Sequence, residues 1–511
     1  MEVYTTNKHQ KDELQRKAKQ ARMLTIGFYL LSIVVGIGLI LLPVIFTVIT
    51  GRGYLGLFAI CLPAGGAVLM SLFPKKFPFD PPGPTLKEQQ HPELFELIRS
   101  VAKETNQAMP EYVYLIAEFN AFVSQVSITK NNNDERIMGI GLPLLKEMNI
   151  SEFKGIIAHE FGHYLNGDTE YGAKIYQTRL SIQQTIMALE SKARLLKAPF
   201  IWYGNKFLEI TNSISRNQEF NADRVAAKVA GKNAVTNSLT KLTSKATAFD
   251  FFVSTEMMPL IESEVYAPIL EGYDRFQQVE YVKEQIGKIT KEELARKKPD
   301  KYDTHPATSV RISTVNELPF DDAVINEQSA ISLINFDAEL EDKMIRNIVG
   351  EHSFSRFKKI SWDDDINQYL FKIWEQTVKD YQSFLSKLTV ATIPDFVIDP
   401  GPYITRIVDE NNIDDEFIPF LLHDLNYAVK CGLATIMAIS GWEMSRNLGE
   451  PPVFKKGDFA LKPFDVTADF EEKKVDKNRW LEICNATDIG NKRLDLVEID
   501  SSEVILTAEK H

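Results

Sequence analysis

Two of the eight histidines in this 511-residue chain stand four apart, in His159-Glu160-Phe161-Gly162-His163. On a helix that spacing puts both imidazoles on one face. The flanking residues suit a helix. Asn149 or Ser151 can cap its start, Glu152 falls in the first turn, and Phe153, Ile156 and Ile157 form an apolar face. Two neutral imidazoles so placed can share one zinc ion, and Glu160 between them can reach a water beside it. The pattern also arises by chance, and two helical histidines can equally be surface residues. The rest of a site has to come from elsewhere in the chain.

A second signal lies in Arg216 to Val229, which reads as a strong helix with Glu219 and Asp223 on one face. A catalytic zinc needs three protein ligands and an open position, and two histidines with a glutamate are a standard set. Glu219 can supply that carboxylate. Asp223, one turn on, can accept the free N–H of a ligating histidine and set its tautomer. Taken alone, the segment is equally an amphipathic surface helix with two solvated acids. A third stretch, Thr304-His305-Pro306-Ala307-Thr308-Ser309-Val310-Arg311, offers His305 as a donor to a developing oxyanion and Arg311 as a partner for a carboxylate near the metal. It also reads as a helix start after His-Pro with a surface arginine.

These residues need a scaffold. His91 to Thr105 has a helical apolar pattern. Glu111 to Ile116, Asn120 to Ile128 and Arg136 to Gly141 read as strands, with a turn at residues 131–134. Strands ahead of a metal-binding helix suit a site in which one edge strand holds an extended peptide by backbone pairing.

Residues 1–22 form a basic arm, followed by two uncharged runs, 23–50 and 55–73. Both are of spanning length for a hydrocarbon core of about 30 Å, so 23–74 is expected to be a transmembrane hairpin. Basic residues flank its outer ends, which places the N-terminus and everything after Lys75 in the cytoplasm. The interval from Tyr171 to Ser215 is amphipathic and charged, and is expected to pack on the catalytic core rather than to span.

The formal charge of −12 falls after about residue 330; acids and bases balance before it. No basic patch points to nucleic acid. Cys61, Cys431 and Cys484 are scattered, which argues against a disulfide framework. Residues 330–511 keep frequent aromatics and are expected to fold as a small α+β interaction domain, ending in strand-like stretches over 473–508.

HEFGHYLNGD, RNQEFNADRVAA and THPATSVR, in that order, resemble the membrane zinc metallopeptidases typified by HtpX and the type I CAAX prenyl proteases. The NAF at Asn120-Ala121-Phe122 and the HPELFELI opening at His91 fit the same pattern. The resemblance covers roughly residues 85–315 and the preceding hairpin. It implies His159, His163 and Glu219 as ligands of one zinc ion per chain and Glu160 as catalytic base. It implies Asp223 behind the ligands, Asn120, Ala121 and Phe122 as the substrate-side strand, and His305 and Arg311 near the active site, with His305 a transition-state stabiliser. The charged interval where HtpX-like enzymes carry further spans is a departure. So is the lack of enough spans to enclose an intramembrane chamber of the CAAX type.

The expected fold is therefore α+β: a two-helix transmembrane hairpin, a mostly helical zincin-type peptidase domain over 85–320 with a small β-sheet, and a C-terminal α+β domain over 330–511. The expected protein is an integral-membrane endopeptidase of the gluzincin type. Its partners are protein substrates, the bilayer and, through the C-terminal domain, a second copy or another protein. The rival reading is a membrane scaffold with a latent or inactive peptidase domain.

Overall fold

The computed structural model describes residues 8–73, 79–127, 134–165, 168–190, 197–298, 303–411 and 417–496. The chain divides into two compact units. The first comprises 1–246 and 288–347, the second 247–287 and 348–511. This differs from a linear division near residue 330, because a segment from mid-chain joins the second unit.

In the first unit, α1 (Lys8–Thr50) carries no charged residue from Met23 onward, and its part from Arg16 is long and apolar enough to cross a membrane. The following helix, α2 (Leu55–Met70), has 16 residues, which is about 24 Å at 1.5 Å per residue. That is shorter than the expected run to Phe73 and short of a hydrocarbon core of about 30 Å. Among the described residues, one helix meets the length and apolarity for a span. The two helices meet at glycine. A Cβ on Gly65 would lie 2.6 Å from the carbonyl oxygen of Gly36, so a larger residue would force the backbones apart.

The sheet has the order β1 (Thr85–Leu86), β2 (Tyr112–Ile116), β4 (Asp134–Gly141), β3 (Ala121–Ser127). β2 and β4 run parallel, and the other pairs are antiparallel. β3 is thus an edge strand, with Ala121 opposite Ile140. The amphipathic helix α3 (Pro92–Thr105) buries Leu94, Ile98 and Val101. After α4 (Leu142–Glu147) comes α5 (Ile150–Leu165). Asn149 caps α5 reciprocally. Its Oδ1 accepts from the Glu152 N–H at 2.8 Å, and Glu152 Oε2 accepts from the Asn149 N–H at 2.9 Å.

The interval after α5 forms α6 (Asp168–Glu190) and α7 (Ala198–Ala230). These helices pack on α1 and α2 as well as on the catalytic core expected for them. Phe28, Leu39, Ala64 and Val68 share one apolar cluster with Ile182, Leu189, Phe200 and Phe207. Polar contacts tie the same four helices: Ser71 and Thr185 hydroxyls at 2.6 Å, and the Tyr203 hydroxyl donating to the Leu24 carbonyl. The C-terminal half of α7 leaves the bundle and packs on α5. Gly231, at φ +88°, ends it, and α8 (Lys232–Phe252) follows. The chain later returns to this unit, pairing Ser329 with Asn149 at the start of α5.

The second unit is largely helical. The helix Ile418–Ile439 buries an apolar stretch from Cys431 to Ala438. A three-stranded antiparallel sheet of Glu443–Ser445, Val453–Lys456 and Phe459–Leu461 follows. Where strands were expected after residue 473, Lys477–Thr487 is a helix capped by Asp476; residues 497–511 lie outside the described ones. All three cysteines are free and buried.

Candidate active site

α5 and α7 cross closely because residue 162 is glycine. A Cβ there would lie 2.9 Å from Ala222 Cα and 3.3 Å from Val225 Cβ. This approach sets Glu219 against the two histidines one turn before the crossing. His159 Nε2 is 3.5 Å from Glu219 Oε2, and His163 Nε2 is 3.6 Å from Glu219 Oε1. The two imidazole planes stand at 90° with centroids 4.9 Å apart. Ligand-capable atoms of His159, Glu160 and His163 lie within 4.8 Å of one another.

Behind this group, His159 Nδ1 lies 3.0 Å from Asp223 Oδ1. Arg311, on the helix Thr308–Asn316, donates to both oxygens of Asp223, from Nε at 2.9 Å and Nη2 at 2.7 Å. Its Nη1 reaches to 3.2 Å from Glu219 Oε2, and His305 Nδ1 approaches the same oxygen to 3.0 Å. Asn120, Ala121, Glu160, His305 and Arg311 line one cavity of 150 Å³ with His159, Glu219 and Asp223.

The electrostatics follow from burial and these partners. Burial pushes the Glu160 carboxyl up to about 7 against the pull of His159 and Arg311. Burial also holds His163 down at about 4, so its imidazole is neutral and able to ligate. Burial lowers His159 as well, but there it is outweighed by Asp223 and Glu219, which raise its affinity for a proton. Burial raises Glu219 and Asp223 too, but His159, His305 and Arg311 lower Glu219, and Arg311 with His159 lowers Asp223.

The donor set fits zinc. Two ligand atoms about 2.1 Å from one tetrahedral ion sit about 3.4 Å apart, close to the two imidazole–carboxylate separations and too long for hydrogen bonds. Glu219 Oε2 is buried and makes no hydrogen bond, despite its close cationic neighbours. A cation between the three side chains would satisfy that oxygen and take the place of the proton on His159.

The structure thus brings together nine of the ten residues singled out in sequence. Phe122 is the exception. Neighbouring strand residues face opposite sides, and the Phe122 ring lies over Gly139 and packs with Tyr114, Ile116 and Ile137, while Ala121 faces the cavity. Val235, Ser238, Leu239 and Leu242 of α8 form a wall that sequence reading passed over. Their i, i+3, i+4, i+7 spacing was the available signal. Tyr164, under Arg136 at 4.5 Å, was also missed.

Residues 88–318 match peptidase family M48, a span containing every residue of the site. Among similar curated proteins is a Protease HtpX homolog of Thermococcus sibiricus, 33% identical over 84 residues, which are 16% of this chain and 27% of that one. Protease HtpX of Sodalis glossinidius is 31% identical over 109 residues, covering 20% of this chain and 36% of the relative. Protease HtpX of Shewanella piezotolerans is 40% identical over 76 residues, 14% of this chain and 25% of its own. The chain therefore spans about a quarter to a third of the length of these relatives. No solved structure matches it. The segment 88–318, with its paired histidines, its glutamate and their buried supports, is similar to peptidase family M48.

Proposed function

We propose that this chain is a membrane-anchored, zinc-dependent endopeptidase that hydrolyses peptide bonds of protein substrates on the cytoplasmic side. The observation that carries the reading is the convergence of His159 Nε2 and His163 Nε2 on the two oxygens of Glu219, with Glu160 beside them in one cavity. A zinc ion held by His159, His163 and Glu219 supplies Lewis acidity and makes water a nucleophile near neutral pH.

The chain's own residues do the rest. Asp223, fixed by two hydrogen bonds from Arg311, holds His159 at Nδ1 and so leaves Nε2 free to ligate. Glu160 accepts the proton of the attacking water and passes it to the leaving amine. His305, exposed at the cavity, stands where it can donate to the oxyanion. The extended substrate lies along the free edge of β3, held at Asn120 and Ala121 by backbone pairing. The site is open to protein chains, and a role in quality control of membrane proteins follows the resemblance to HtpX.

The scaffold reading is weaker. Structural zinc sites close four protein ligands around the ion, whereas this set offers three and leaves a position free beside Glu160. The test is metal content. Glu219→Gln keeps the shape of the side chain and should lose zinc on dialysis that the native protein survives. Native zinc occupancy in that variant would remove Glu219 from the ligand set.

A further inference from the structure

The second unit carries an open cavity of 520 Å³, within the range of small-molecule sites. Its walls are aromatic: Trp374 packs on Phe464 at 5.5 Å and 40°, and Tyr427 packs on Phe464 at 6.1 Å and 53°. Its charge is negative. Glu256, Asp424, Glu450 and Asp465 line it, against Arg446 as the one cation among the lining residues. Arg446 is already engaged, pairing with Oε1 of Glu256, which also accepts from the Gly449 N–H at 3.1 Å.

Glu256 carries the second observation. Its side chain is 1% exposed, and its Oε2 has no hydrogen-bond partner. A buried carboxylate oxygen without a donor is rare in folded proteins. The residue sits in a single π-helical turn, Val253–Met257, a feature frequent at functional sites, in the wall of the cavity. An apolar ligand would leave Oε2 bare, and an anionic one would meet four acids. A cation would be drawn by the four carboxylates and lie against the aromatic faces.

We propose that this cavity binds an organic cation, a protonated amine or guanidinium on an apolar stem. The proposal does not depend on the peptidase reading, since all lining residues belong to the second unit. The chemistry is met by a small free amine and by the side chain of a basic residue in a peptide.

Isothermal titration of the full-length protein in detergent tests it with three probes: agmatine, a capped pentapeptide with a central arginine, and the same peptide with citrulline. The expected result is saturable binding of agmatine, the arginine peptide or both below about 1 mM, and none of the citrulline peptide. Agmatine alone marks a free metabolite as the source, and the arginine peptide alone marks a protein segment. Asp424→Asn and Tyr427→Leu, both at exposed positions, should weaken binding by several-fold to about tenfold without changing Tm. Glu256→Gln should abolish binding where it folds. No saturable binding of either cation, equal binding of citrulline, or unchanged affinity in both exposed-site variants would each overturn the proposal.

Discussion

Asp223 shows what single residues contribute here, because its role lies in its partners. Arg311 holds both of its oxygens, and it holds His159. Asp223→Ala should therefore weaken zinc binding by about 10–100-fold while leaving the three proposed ligands in place, as measured by competition with a chelator. The sequence separated these residues unevenly. His159, Glu160 and His163 share one helix face, so local periodicity alone revealed them. Glu219 could not be told from a solvated acid, since its meaning depends on a contact between helices 60 residues apart. Phe122 was misplaced by a motif that gives a strand but not which side of it faces the cavity. Away from the site, burial pushes the thiols of Cys431 and Cys484 up to about 12. At pH 8 about one in ten thousand of either would be thiolate, so neither should react with iodoacetamide until the protein unfolds.

At the scale of elements, the crossing of α5 and α7 is the device that assembles the site. Gly162→Ala places a methyl 2.9 Å from the backbone of Ala222 and pushes the helices apart. A loss of about 1–3 kcal/mol is expected in denaturant titration, together with weaker zinc binding. Asn149→Ala removes one half of the α5 cap and should cost about 1 kcal/mol with zinc binding unchanged, which separates a helix-stability effect from a site effect. The capping residue, the strands and α5 were all legible, because each rests on local chemistry. The destination of α6 and α7 was not. Their amphipathic pattern showed that one face is buried, but the complementary surface belongs to α1 and α2, more than 100 residues earlier.

For the whole molecule, α1 and α2 cover apolar faces of α6 and α7. Deleting residues 8–73 would uncover Ile182, Phe200 and Phe207. The truncated chain is therefore expected to aggregate, seen as a void-volume peak on gel filtration, rather than to yield a soluble peptidase. The two-unit division was only partly legible. The acidic shift near residue 330 marked a change in composition, while the capture of 247–287 by the second unit depends on tertiary packing that composition does not record. The central claim is zinc-dependent hydrolysis with Glu160 as base, and it is tested most directly by casein cleavage and zinc content on full-length native protein and Glu160→Gln together. Both should hold about one zinc per chain, with cleavage by the variant lower by about 10²–10⁴-fold. Equal cleavage by Glu160→Gln, or native protein that takes up no zinc, would contradict the account.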